Sequence, residues 1–146
     1  MTTTVGEVMT PGVETATPSQ ALREAARMMK TGDYGSVPVV EGGRLVGMLT
    51  DRDIVVRAVA EGLDGNTAQV GDVASRDPVM ATPSQDLDDA LELMARHRVR
   101  RLPVVEDGML VGMLSQADVA LEAKEKKTGE VVQEISQPTS TPSEIG

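Results

Sequence analysis

The chain is 146 residues long, carries a formal net charge of −9 at pH 7 and contains no cysteine. That charge disfavours generic binding to nucleic acid or acidic membranes, and the missing thiols exclude disulfides, thiol catalysis and cysteine-ligated metals. Composition is otherwise ordinary for a folded domain, but Tyr34 is the sole aromatic, so the core must be built from Val, Leu, Ala, Ile and Met.

Residues 1–8 have neither the basic start nor the apolar run of a signal peptide, and no stretch reaches the roughly 18 apolar residues of a spanning helix. The expectation is a soluble cytoplasmic protein with no nucleic-acid or membrane partner. In chain order, extended residues Val13–Ala16 lead into Thr17–Gln20, where Ser19 follows Pro18 and is placed to cap a helix. Leu22, Ala25, Ala26 and Met29 then recur at helical spacing. The apolar run Val37–Val40, a turn over residues 41–44 containing Gly42 and Gly43, and a second run Leu45–Leu49 read as a β-hairpin. A helix is expected from Asp51 to about Glu61, followed by the turn-rich linker Gly62–Thr67.

The chain then starts again. Displaced by 65 residues, Val5–Ile54 aligns without a gap on Val70–Val119. Of the 50 aligned positions 22 are identical, far above chance for one ungapped offset, so the chain is a duplication. Val79–Ala81 repeats the extended segment, Ser84 the cap, and Leu87, Ala90, Leu91 and Met94 the helix. Pro103–Ser115 repeats the hairpin with its turn over residues 106–109, and a last helix is expected from Gln116 to about Lys127. Residues 1–65 thus form a first copy with its N-terminal segment and 66–128 a second. The Gln-, Ser-, Thr- and Pro-rich residues 129–146 are expected to be a disordered tail. One copy is near the size at which a lone core is marginal, so two βαββα copies packed as a pseudo-two-fold pair, an α+β fold, are expected.

One motif carries chemistry: Gly47–Asp53 (GMLTDRD), repeated as Gly112–Asp118 (GMLSQAD). In each, a strand ends at a hydroxyl and a carboxylate follows three residues later on the first turn of a helix. Free N–H groups there favour an anion such as phosphate, a hydroxyl adds a hydrogen bond, and a carboxylate suits the two hydroxyls of a ribose. The same spacing equally describes a capping box, Thr50 with Asp53 and Ser115 with Asp118, and local reasoning leaves both readings open.

The blocks Ala-Thr-Pro-Ser, helix, Pro-Val-Val, Gly turn and Gly-Met-Leu-Thr/Ser-x-x-Asp, in order and twice over, resemble a pair of cystathionine-β-synthase-type (CBS) domains, the Bateman module. The resemblance covers residues 5–125, and is nearest to short stand-alone bacterial pairs of the stress- or hypoxic-response type. It implies a regulatory module binding AMP, ADP or ATP between the copies, ahead of S-adenosylmethionine or NAD(H). It implies further that Asp53 and Asp118 hold ribose hydroxyls and that Thr50 and Ser115 contact phosphate. Thr17, Pro18, Val37, Pro38, Thr82, Pro83, Leu102 and Pro103 would border the adenine. A homodimer formed through helices is also implied.

The copies differ in charge: Arg52 is replaced by Ala117, while Gly35 and Ser36 become Arg100 and Arg101. Arg52, Arg100 and Arg101 are therefore candidates for meeting phosphate, and two unequal pockets are expected. Lone His97 offers neither a His pair for a metal nor a catalytic triad, and the acidic Asp86, Asp88, Asp89 and Glu92 suit a helix start. No catalytic residue, metal site or resident cofactor is expected, so the chain is not read as an enzyme. A regulator without an effector domain of its own implies a separate effector protein. The alternative is a ligand-free structural or protein-interaction module.

Overall fold

The computed structural model describes residues 3–125, so the tail from 129 and the end of the last helix near Lys127 lie outside the described residues. The first copy contains helix α1 (Val5–Val8), helix α2 (Leu22–Gly32), strand β1 (Ser36–Glu41), strand β2 (Arg44–Thr50) and the short helix α3 (Asp51–Asp53). α3 continues without a break into a π-helical stretch, Ile54–Val59. The second copy repeats this with α4 (Val70–Val73), α5 (Leu87–His97), β3 (Arg101–Glu106), β4 (Met109–Ser115) and α6, residues 116–125.

The strands form one antiparallel sheet in the order β1-β2-β4-β3. Each hairpin pairs along its length, whereas β2 meets β4 only at Arg44 and Met109, beside the two turns. Leu45 N–H donates to Gly108 O and Leu110 N–H to Gly43 O, so the hairpin tips hold the copies together reciprocally. The strand expected before each first helix is reduced to one bridge, Ala16 with Val39 and Ala81 with Val104. A Thr-Pro turn ends each segment at once. β1 and β3 are the edges of the sheet, so Val40 and Val105 N–H point outward and donate to Ala16 O and Ala81 O at 2.8 Å, while a bulge at Val46 and at Val111 shifts the register of each hairpin.

The helix starts are also built differently from the expectation. Ser19 and Ser84 lie inside the turns, and the residues at the N-caps, Ala21 and Asp86, make no side-chain cap. The first N–H groups of α2 instead donate to Ala68 O and Gly65 O, and that of α5 to Thr3 O. A passing backbone strand satisfies the donors that a serine hydroxyl would have taken. The Gln of each turn closes it, with Gln20 Oε1 accepting from Thr17 N and Gln85 Oε1 from Thr82 N.

These straps cross between the copies. Val70 and Val73 of α4 are buried with Leu22, Ala25, Val37 and Leu49 of the first copy, whereas Val5 of α1 is buried with Leu87, Ala90, Leu102 and Leu114 of the second. Each core thus contains a segment that the sequence repeat assigns to the other copy. α2 and α5 present matched buried stripes, Leu22, Ala25 and Met29 against Leu87, Ala90 and Met94, at the spacing of one helix face.

Candidate functional site

β2 and β4 enter the motif fully buried and leave it at a half-buried hydroxyl. In the first copy Thr50 N–H donates to Asp53 Oδ2 at 3.1 Å, and Asp53 N–H donates to Thr50 Oγ1 at 3.0 Å. In the second, Ser115 N–H donates to Asp118 Oδ2 at 3.2 Å and Asp118 N–H to Ser115 Oγ at 3.1 Å. Both are complete capping boxes, which fix the hydroxyl and carboxylate side by side at the end of each hairpin. One oxygen of each box, Oδ1, takes no part in the cap.

Segments following α1 and α4 run beside the motifs. Met48 and Ser75 exchange two backbone hydrogen bonds, as do Thr10 and Met113. This is why a glycine precedes each Met: a Cβ on Gly47 would stand 2.7 Å from Ser75 O and one on Gly112 2.8 Å from Thr10 O. Only a residue without a side chain lets the strap pair there.

Two related clefts flank these straps. The larger, about 440 Å³, has Val46, Gly47, Ser75 and Met80 on its walls together with Pro18 and the charged Arg76. The smaller, about 200 Å³, is bordered by Val111, Gly112, Val13 and Thr15. The bulged Val46 and Val111 face one cleft each, a use of bulges to redirect a side chain. Offset by 65, the two walls correspond residue by residue at Leu45 and Leu110, Val46 and Val111, Pro78 and Val13, and Met80 and Thr15.

The expected site residues fall into three groups. Thr50, Asp53, Ser115 and Asp118 stand together at the strand ends, and Pro18 lies on the larger cleft. Val37 and Leu102 are fully buried, and Pro38 and Pro103 give their carbonyls to Ala16 and Ala81, so what these four offer is shape and backbone rather than side-chain contact. Thr17 and Thr82 are exposed at the turns, with Pro83 half-buried beside Gly6. Arg52 and Arg100 are exposed, but Arg101 reaches across the copies and places its guanidinium 5.8 Å from the centre of the Tyr34 ring. Tyr34 lies next to Gly35, whose carbonyl accepts from Asp51 N at 2.9 Å, so a second-copy cation stands near the first-copy motif. The Tyr34 hydroxyl is buried without a partner in hydrogen-bond geometry. Burial, and then the Glu14 carboxylate, push its pKa up, while Arg101 pulls it down.

Of the straps, residues 13–15 and 79–80 were read only as extended segments, and residues 10–12 and 74–78 were not singled out by sequence reasoning. Their one signal was the glycine inside each apolar strand, the usual mark of another backbone approaching closely. Among the described residues no group of three or more His, Cys, Asp or Glu gathers as a metal site, and no helix is long and apolar enough to cross a membrane.

A duplicated βαββα unit, with crossed straps and a hydroxyl–carboxylate turn at each hairpin end, makes the chain a tandem pair of small α+β domains. The family model for the CBS domain matches residues 5–59 and again 70–125, and the chain belongs to that family. It is 47% identical over 117 residues, 80% of this chain and 83% of the relative, to the CBS domain-containing protein YhcV of Bacillus subtilis. Hypoxic response protein 1 of Mycobacterium tuberculosis is 36% identical over 93% of this chain and 96% of its own length. A crystal structure of Hypoxic Response Protein I with two coordinated zinc ions matches with a TM-score of 0.76 at 38% identity, covering 82% of this chain and 98% of that one. CBSX2 of Arabidopsis thaliana, solved in complex with AMP, matches with a TM-score of 0.75 at 30% identity, over 85% of this chain and 98% of that one.

Proposed function

We propose that this CBS pair is a regulatory module that binds an adenine nucleotide, AMP, ADP or ATP, in the clefts between its copies. The observation that carries the reading is the hydroxyl–carboxylate pair, held by its own capping box at the end of the strand whose Gly47 lines a cleft of about 440 Å³. That volume lies within the range of about 300–1,000 Å³ usual for small-molecule sites. Apolar walls from Val46, Met80 and Pro18 suit an adenine face, and the outer oxygens of Asp53 and Asp118 suit ribose hydroxyls. Thr50 and Ser115 stand where phosphate would meet a hydroxyl. Arg101, with exposed Arg52 and Arg100, supplies positive charge on an otherwise acidic chain. Replacing each arginine by Ala and titrating ATP by calorimetry tests that role, and an affinity unchanged in all three removes it.

Binding becomes a signal only if the ligand favours one arrangement of the copies or of a dimer over another, passed to a separate effector protein. The module works in the cytoplasm as a homodimer and catalyses nothing itself. A second reading, a ligand-free interaction module, is favoured by a specific observation: Val55, Val56 and Val59 on the π-helical stretch are 58%, 49% and 68% exposed. Thermal unfolding with AMP, ATP, S-adenosylmethionine and NADH separates the two. The expected result is a rise in melting temperature with an adenine nucleotide, by mass action equivalent to about 2.7 kcal/mol at 100 times the dissociation constant, that is lost when Asp53→Ala and Asp118→Ala are combined. No shift with any of the four leaves the interaction module as the function.

A further inference from the structure

The two motifs share most of their letters, but the straps beside them treat their carboxylates differently. Thr10 and Ser75 occupy equivalent places, each on a strap bridged to the Met that follows the motif glycine. In the second copy Thr10 Oγ1 donates towards both carboxylate oxygens of Asp118, at 3.3 Å each. In the first copy Arg57 Nη1 donates to Ser75 Oγ at 3.4 Å and to Val73 O at 3.2 Å, tying the strap to the π-helical stretch. Asp53 then accepts only from Thr50 N among the described residues, and its Oδ1 is open. The residue equivalent to Arg57 is Glu122, an acceptor that can donate nothing to Thr10.

We propose that the chain binds one nucleotide, not two, in the first-copy cleft, and that Thr10 is the latch that keeps the second-copy carboxylate from a ribose. The inference rests on the nucleotide reading above. A ribose approaching Asp118 competes with the Thr10 hydroxyl for both carboxylate oxygens, whereas one approaching Asp53 meets an Oδ1 that accepts no hydrogen bond among the described residues. Arg57 is the positioning residue that keeps Ser75 turned away from Asp53.

Calorimetric titration of the full chain with AMP tests this. Wild type is expected to bind close to one AMP per chain, and Asp53→Ala to abolish that binding while Asp118→Ala leaves it. Thr10→Val keeps the shape of an exposed side chain and removes the donor. It is expected to reveal a second site, or tighten a weak one by about three- to tenfold, the worth of one hydrogen bond. Arg57→Ala frees Ser75 and is expected to weaken the first site by a similar factor. Two equivalent sites in wild type, or loss of binding on Asp118→Ala rather than Asp53→Ala, overturns the proposal, as does a Thr10→Val titration identical to wild type. Absence of AMP binding in every variant overturns the nucleotide reading and this inference with it, an outcome distinct from all of these.

Discussion

In the first copy Leu49 and Val37 are fully buried, and in the second Leu114 and Leu102 hold the same places, equally buried. The two hairpins even bulge at the same residue. At exposed and half-buried positions this agreement stops. Arg57 faces Glu122, Tyr34 faces Val99, Ser36 faces Arg101 and Arg76 faces Pro11 at equivalent positions. Duplication supplied two identical frames, and close packing punishes change in the frame, because a lost methylene leaves a cavity. Exposed positions carry no such penalty, so the copies have been free to differ there, beside motifs that are alike.

Matched pairs of substitutions test how far the frames are equal. Leu49→Ala and Leu114→Ala should each cost about 2–5 kcal/mol in urea unfolding, by cavity creation. A large loss in one copy with little in the other would mean that the cores are not equivalent. Gly47→Ala and Gly112→Ala push a Cβ against the strap carbonyls at 2.7 and 2.8 Å and should cost about 1–3 kcal/mol each, again alike. Thr50→Ala and Ser115→Ala remove one cap apiece and should cost about 0.5–2 kcal/mol, read in the same assay. A cap loss that is silent in both copies would show that the hydroxyls contribute nothing to the helix starts.

The smallest effect concerns the asymmetric side. Tyr34 is the only aromatic, so its phenolate absorbance titrates without interference. Burial raises its pKa above the ordinary value of about 10, so the folded state holds the proton more tightly than the unfolded chain. The stability this contributes is complete below about pH 10 and is lost as pH rises through the higher folded value. The titration midpoint should lie above that of the unfolded chain and move up further in Arg101→Ala, which removes the nearby cation. A midpoint unchanged by that substitution would separate Arg101 from Tyr34 and remove the link between the second copy and the first-copy motif.

Most of the frame was legible in the sequence because it is written in repetition and period: the offset of 65, the Leu22 and Leu87 stripes, the Gly turns and the two strand runs. What escaped depends on space rather than on letters. Self-comparison assigns Val70 to the second copy because it matches Val5, yet Val70 packs with Leu22 and Leu49, since each strap crosses to the other core. Ser19 and Ser84 have the composition of caps, but the backbone at 65–68 and at Thr3 reaches the helix donors first. The hydroxyl–carboxylate pairs were visible as a motif, and their capping geometry follows from their spacing. The cleft walls at 74–80 and 12–15 have no periodicity to read. Their position follows from a backbone pairing that only Gly47 and Gly112 hinted at.

The unequal clefts are tested most directly by melting Asp53→Ala and Asp118→Ala, separately, with and without AMP. The stabilisation by AMP should vanish in Asp53→Ala and persist in Asp118→Ala. Equal loss in both would contradict the account, because the two copies would then be alike in their clefts as they are in their cores.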